Sequence, residues 1–298
     1  MTKKMKIVIA AASGNIGRRI AEKILQSGAE TILLARHPEK LAPKIIQGAI
    51  VRPISSDDIT GLLEVTQNAD ALFWLTPPKL DIPCLYDWYI QTAMAGASSV
   101  SENRIKRVVN ISSIGAGAAS NLGTVSFCGD VESIFNQTNS NVLHLRPGYF
   151  MENFLDQIEL IRHEHTVCFP FAGDHDIPWI STDDIGDEAA KYLLDDSWTG
   201  QLTRNLIGPE NLTLFETTAI LSRVFDFPIE YVQVTIESIQ RRLATSGATL
   251  DVQRELGNLF RALGDPEGIY ATAQTDEAAT PTTFEQFAKN KLLPITTI

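Results

Sequence analysis

Strand-sized apolar runs alternate with helix-like segments through the first half of the chain, and this alternation restricts the fold more than any other feature. Residues 6–10, "TILLAR", "GAIVRPI", "DALFWLT", "RVVNIS" and "NVLHLRP" read as six strands with helical segments between them. The runs are nearly continuous in Val, Ile and Leu, the pattern of strands covered on both faces. Strand and helix in rotation predict a parallel sheet wound with helices on either side. The first helix is expected over residues 16–27, with Ile16, Ile20 and Ile24 on one face and Gly28 at its stop.

After Pro147 the rotation breaks. "GYFMENFLDQIELIRHEHT" reads as helix, "VCFPFAGDHDIPWIST" as loop and strand, and "DDIGDEAAKYLLDD" as helix. "NLTLFETTAILSRVF" reads as helix and "IEYVQV" as strand; two helical stretches follow, and "DEAATPTTFEQFAKN" is a loop entering a C-terminal helix. The expected class is α/β, a Rossmann-type doubly wound parallel sheet with a smaller α+β C-terminal substrate lobe over its carboxyl edge. Residues 1–148, with the sheet completed by parts of 177–208, would form the main domain. Residues 149–176 and 209–298 would form the lobe.

Composition narrows the function. The 298 residues are 44% hydrophobic and 20% charged, as in ordinary folded proteins. No apolar run approaches the roughly 20 residues of a membrane span, so no membrane partner is expected. The start "MTKKMKIVIAAASG" imitates a secretory leader, but its apolar patch is short and a helical pattern follows at once, so it reads as the first strand. Cys84, Cys128 and Cys168 show neither metal spacing nor an even disulfide framework, which predicts no metal and a reduced, cytoplasmic setting. Residues 1–150 carry 15 basic against 12 acidic side chains, and residues 151–298 carry 10 against 24. An acidic chain without a basic block is a poor nucleic-acid binder, while the mildly basic half suits an anionic cofactor.

The stretch "IVIAAASGNIGRR" joins the first strand to the first helix. A dinucleotide turn uses three glycines: for the tight turn, for close backbone approach to pyrophosphate, and for helix packing on the strand. Here the series is Ala11, Gly14, Gly17, so the first position bears a methyl group. Negative φ at Ala11 would cost little; positive φ would cost roughly 1 kcal/mol or more. The helix from Asn15 would direct its free N–H groups and positive dipole end at phosphates. About 20 residues on, where NAD-specific sites carry an acid, stands Arg36, with Lys40 shortly after. A guanidinium there can grip a 2′-phosphate, which favours NADP(H) over NAD(H).

The pieces "AASGNIG", "LLARHPEK", "NADALFWLTPP", "VVNISSIGA", "LRPGYFMENF" and "IPWISTDDIGDEAAKYLL" fall in order from residue 7 to about 194. Together the chain resembles the NmrA-like branch of atypical short-chain dehydrogenases. "WLTPP", "LRPGYFMENF" and the C-terminal lobe are also similar to the reductase group that includes festuclavine synthase and agroclavine dehydrogenase. The resemblance implies that Ala11, Ser13, Gly14, Asn15, Ile16 and Gly17 wrap the pyrophosphate, and that Arg36 with Lys40 meets the 2′-phosphate. It places Ser55 beside adenine, Leu75, Thr76 and Pro77 along the cofactor's middle, and Ser112 or Ser113 beside the nicotinamide. Tyr149, Phe150 and Asn153 would border the substrate, with Trp179 on the lobe side. For Phe150 and Trp179, packing is the simpler role.

Typical short-chain dehydrogenases pass a proton through a Tyr-x-x-x-Lys pair. The matching region here, "TVSFCGDVESIF", has Val125 and Gly129 at those positions; many NmrA-like relatives place a histidine where Cys128 precedes Glu132. Two readings follow. One is a reductase that transfers hydride to a small apolar organic acceptor, an iminium, a quinone or an activated double bond, with Ser113 and Tyr149 as candidate catalytic residues. The other is a non-catalytic NADP(H) sensor with a protein partner. The aromatic residues of "WLTPPKLDIPCLYDWY" and "PGYFMENF" favour the reductase. Either a monomer or a homodimer fits.

Overall fold

The computed structural model describes residues 4–77, 79–271 and 279–296. Pro78 of "WLTPP" and the beginning of "DEAATPTTFEQFAKN" lie outside the described residues.

The first half builds β1 (Lys6–Ile9), α1 (Asn15–Ser27), β2 (Glu30–Leu34), α2 (Pro43–Gly48), β3 (Ile50–Arg52), α3 (Ile59–Val65), β4 (Ala71–Trp74), α4 (Leu85–Glu102), β5 (Arg107–Ile111), α5 (Thr124–Asn136) and β6 (Asn141–Pro147). Then come β7 (Tyr149–Phe150), a 3-10 stretch over Met151–Gln157, α6 (Ile158–Glu164), β8 (Thr166–Phe169), β9 (Ile177–Ile180), α7 (Thr182–Leu194) and β10 (Gln201–Leu206). The rest comprises β11 (Asn211–Leu212), α8 (Leu214–Phe225), β12 (Glu230–Gln233), α9 (Ile236–Thr245), α10 (Leu250–Leu263) and α11 (Phe284–Phe287).

Seven strands form one sheet in the order β10-β6-β5-β4-β1-β2-β3, and every neighbouring pair is parallel. The chain order reverses between β1 and β4, which opens a crevice at the carboxyl ends of those strands. Each sheet face carries its own core. On one side Ile7, Ile9, Phe73 and Val109 meet Ile16, Ile20 and Ile24 of α1 and Ile185, Ala189 and Leu193 of α7. On the other, Val8, Leu72, Trp74 and Val108 meet Trp88, Tyr89 and Ala93 of α4 and Phe127, Val131 and Phe135 of α5. Along the inner strands both faces are covered, which is why β1, β4 and β5 carry apolar residues at successive positions, whereas the edge strands β3 and β10 are partly exposed.

The segment after Pro147 departs from its helical reading. Tyr149 and Phe150 are extended and pair with Trp179 and Ile180 of β9, and a 3-10 stretch precedes α6. Tertiary pairing outweighs the local apolar period there. A third core, with Phe154, Phe169, Phe171, Trp179, Leu221 and Phe284, binds these pieces together above the sheet edge. Glu152 of "FMENF" accepts hydrogen bonds from Thr182 N at 3.0 and 2.9 Å, closing the start of α7, and burial raises its carboxyl above the usual range.

Helix α10 lies across the sheet's edge because its start is laced to the loop before α4. Thr249 N donates to Leu80 O at 3.0 Å, Thr249 Oγ1 to Ile82 O at 2.7 Å, and Asp251 Oδ2 accepts from Leu85 N at 2.8 Å.

Candidate active site

The turn after β1 adopts the costlier of its two conformations. Ala11 has φ of +50°, the left-handed region, and its carbonyl accepts from Gly14 N at 3.1 Å. Such a conformation costs an alanine on the order of 1 kcal/mol. Gly17 is required by packing, since a Cβ there would stand 2.5 Å from the Ala11 oxygen. Gly14 differs: a Cβ there would meet the Ala11 oxygen at 3.4 Å, ordinary contact, so nothing inside the fold demands glycine. Its bare, exposed backbone leaves room for an outside group to come close.

Helix α1 begins with no side-chain cap and no acid in its first turn. The first N–H groups, at Asn15, Ile16 and Gly17, therefore keep their donor capacity and the positive end of the helix. Ser13 sits half-buried beside them, and the Ile16 side chain is turned into the core, so only its backbone faces the crevice. Ala12 N donates to Leu34 O at 3.1 Å and ties this turn to the end of β2. Arg36 follows that strand directly; it and Lys40 are exposed, and neither side chain has an ion pair or hydrogen bond among the described residues. Uncapped amides, a glycine with space over it and two exposed cations make this end of the crevice suited to an anionic group. Ser55, past β3, gives its hydroxyl to Asp57.

A cavity of about 340 Å³ opens at the carboxyl ends of β4, β5 and β6. Leu75, Thr76, Ser112, Ser113, Tyr149, Phe150 and Asn153 all line it, together with Leu256, Leu259 and Leu263 from α10. Pro77 is outside this lining; its carbonyl accepts from Trp88 Nε1 at 2.9 Å. The Thr76 hydroxyl is turned inward, accepting from Trp74 Nε1 at 3.1 Å. Trp179 does not reach the cavity. It is wholly buried behind Tyr149, with its Nε1 donating to Leu212 O at 2.8 Å. The Tyr149 ring is wedged edge-on against Trp179 at 5.3 Å and Phe171 at 5.5 Å between centroids, which fixes it as a wall.

Beneath the cavity lies a polar array that sequence reasoning left out. Ser112 Oγ donates to Glu132 Oε1 at 2.5 Å, and Arg146 grips the same carboxylate from β6, Nε to Oε1 at 2.8 Å and Nη2 to Oε2 at 2.6 Å. The one signal in the sequence was a guanidinium inside the apolar run "NVLHLRP". Since the Ser112 proton is committed to Glu132, its oxygen presents only lone pairs to the cavity. Ser113 Oγ donates to Ile114 O at 3.1 Å.

The groups that titrate around the cavity are held in their neutral forms. Burial, with Glu132 alongside, pushes the Cys128 thiol up to about 12. Burial raises the Tyr149 phenol far above its usual range, against an opposing hydrogen bond with Asn153. Tyr89, which closes the aromatic stretch "WLTPPKLDIPCLYDWY" and lines the cavity, is raised likewise by burial. Among the described residues no cluster suited to a metal occurs, and no helix is long and apolar enough to cross a membrane.

A parallel sheet with its crevice at the strand reversal, an uncapped helix start and an apolar cavity alongside define an NAD(P)-binding Rossmann-type protein. The chain belongs to the NmrA-like family, whose profile matches residues 3–288. It is 22% identical to an NAD(P)H azoreductase of Xenophilus azovorans over 95% of this chain and 96% of the relative. It is 36% identical to agroclavine dehydrogenase of Claviceps fusiformis over 36% of this chain and 38% of that one. Among solved structures, the triphenylmethane reductase of Citrobacter sp. complexed with NADP(H) superposes with a TM-score of 0.76 at 17% identity, covering 96% of this chain and 100% of that one.

Proposed function

We propose that this protein is an NADP(H)-dependent reductase that delivers hydride to a small, apolar organic acceptor: an iminium, a quinone or an activated double bond. The observation that carries the reading is the apolar cavity at the carboxyl ends of β4, β5 and β6, roofed by α10 and walled by Tyr149. A sensor without turnover has no need of such a space, so the reductase is favoured. The names of the azoreductase, dye-reductase and dehydrogenase relatives accord with it.

When bound, the nicotinamide ring supplies the hydride. The chain's own residues position and shield. Backbone amides of residues 13–17 hold the pyrophosphate, and Arg36 with Lys40 takes the 2′-phosphate, which supports NADP(H) over NAD(H). Leu75 and Ser112 border the nicotinamide side. Leu256, Leu259 and Leu263 keep water from the reacting face. Ser113 and Tyr149 are the candidate groups at the acceptor.

The chain carries no Tyr–Lys pair in this reading. Val125 is buried in the lobe core, and a Cβ at Gly129 would stand 2.7 Å from Gly117 N, so a lysine has no room there. Hydride addition to a cationic carbon yields a neutral product and needs no acid; addition to a quinone or an activated double bond leaves an anion that takes its proton from water or Tyr149. Holding donor and acceptor in contact then supplies much of the rate. Oxidation of NADPH against a panel of iminium ions and quinones tests this; tight cofactor binding with no turnover on any of them favours the sensor.

A further inference from the structure

A second cavity of about 370 Å³ stands on the far side of the wall formed by Tyr149, Asn153 and Leu256, three residues that line both spaces. Its interior is mostly apolar, with Phe169, Pro170, Ile239, Leu243 and Phe260 from β8, the segment after it, α9 and α10, beside the buried Gln157, whose Oε1 accepts from Cys168 N at 2.6 Å. Asp156, Arg242 and Ser246 also line it, and all three are exposed, so they mark its mouth to solvent. The two spaces are of similar size and meet at the ring proposed to wall the reacting group.

We propose that this outer chamber binds the non-reacting part of an extended acceptor. The flat redox head would lie in the inner cavity, and an apolar tail or second ring would pass Tyr149 and Leu256 into the outer one. This rests on the reductase reading and names its substrate class: a two-part molecule with a planar electrophilic head and an apolar extension. Each cavity alone stands at the small end of the range for organic-ligand pockets, so a longer molecule gains contact by occupying both. An extension that leaves water for the outer chamber gains binding in proportion to its buried apolar area.

Titration calorimetry on the NADP+-loaded protein tests it with two naphthoquinones, one bare and one carrying a phenyl-terminated alkyl tail. The wild type should bind the tailed ligand at least about tenfold more tightly than the bare one. Ser246→Trp at the mouth and Leu243→Trp inside should each bring that ratio to within about twofold of unity. Because Ser246 is exposed, its replacement keeps the test valid even if Leu243→Trp fails to fold. A wild-type ratio near one, or the same ratio in wild type and in Ser246→Trp, overturns the outer chamber. NADPH oxidation separates the two ideas. A tail-dependent ratio without turnover of either quinone overturns the reductase and keeps the chamber, whereas turnover with no tail dependence does the reverse.

Discussion

Glu132 on α5 and Arg146 on β6 form a two-pronged ion pair, with N–O distances of 2.8 and 2.6 Å, directly under the Ser112 hydroxyl. Their side chains are only 8% and 24% exposed. Removing one member strands the other charge in a poor dielectric, at a cost of about 3 kcal/mol, whereas replacing both with apolar residues avoids that penalty. In urea unfolding, Glu132→Leu and Arg146→Met should each destabilise strongly, and the double variant should be less damaged than either single one. Additive losses would contradict this account of the pair.

His144, one strand position from Leu145, is kept neutral, its ring held down at about 4 by burial. It lies 3.1 Å from Asn110 Nδ2 and 3.0 Å from Asn136 Oδ1, a pattern that uses one ring nitrogen as acceptor and the other as donor. In the unfolded chain a histidine takes up its proton near pH 6.5. Between those values the unfolded state binds more protons, so stability falls as pH drops from about 6.5 toward 4, by roughly 2–3 kcal/mol for this residue. His144→Gln should flatten that part of the stability profile relative to wild type. Parallel profiles for the two proteins would refute the assignment.

The opening turn makes opposite predictions for two neighbours. Ala11→Gly relieves a positive φ and should stabilise the protein by about 1 kcal/mol, or about 2 °C in Tm. Gly17→Ala drives a methyl group into the Ala11 carbonyl and should destabilise both the fold and cofactor binding. Differential scanning calorimetry with and without NADPH reads both effects.

Neither Cys128, at about 12, nor Tyr149, higher still, changes protonation near neutrality. With a cationic iminium acceptor of fixed charge, kcat should therefore vary less than about threefold between pH 6 and 9. A bell-shaped profile with a limb in that range would reveal an acid or base outside this account.

Much of this architecture was open to reading from the residues. The inner strands β1, β4 and β5 showed themselves because Val8, Ile9, Leu72 and Val108 belong to runs buried on both faces. The turn between β1 and α1 showed itself through Gly14 and Gly17. Tyr149 and Phe150 misled because their extended form is set by Trp179 and Ile180, some 30 residues away in sequence. At Gly148 the backbone passes so close to β9 that a Cβ would lie 2.1 Å from Pro178 O, an approach that no local period records. The Glu132–Arg146 pair was hidden for a similar reason: its members lie on different elements. Leu256, Leu259 and Leu263 look like any apolar helix face until the Thr249 and Asp251 bonds set α10 over the crevice.

Titration calorimetry with NADPH and NADH, on wild type and Arg36→Ala, tests the central claim most directly. Charge-assisted contacts of a guanidinium with phosphate contribute about 1.5–3 kcal/mol, so NADPH should bind at least tenfold more tightly than NADH. Arg36→Ala should erase most of that preference while NADH affinity stays nearly constant. No heat with either nucleotide, or equal affinities in the wild type, would contradict the claim that this crevice holds NADP(H).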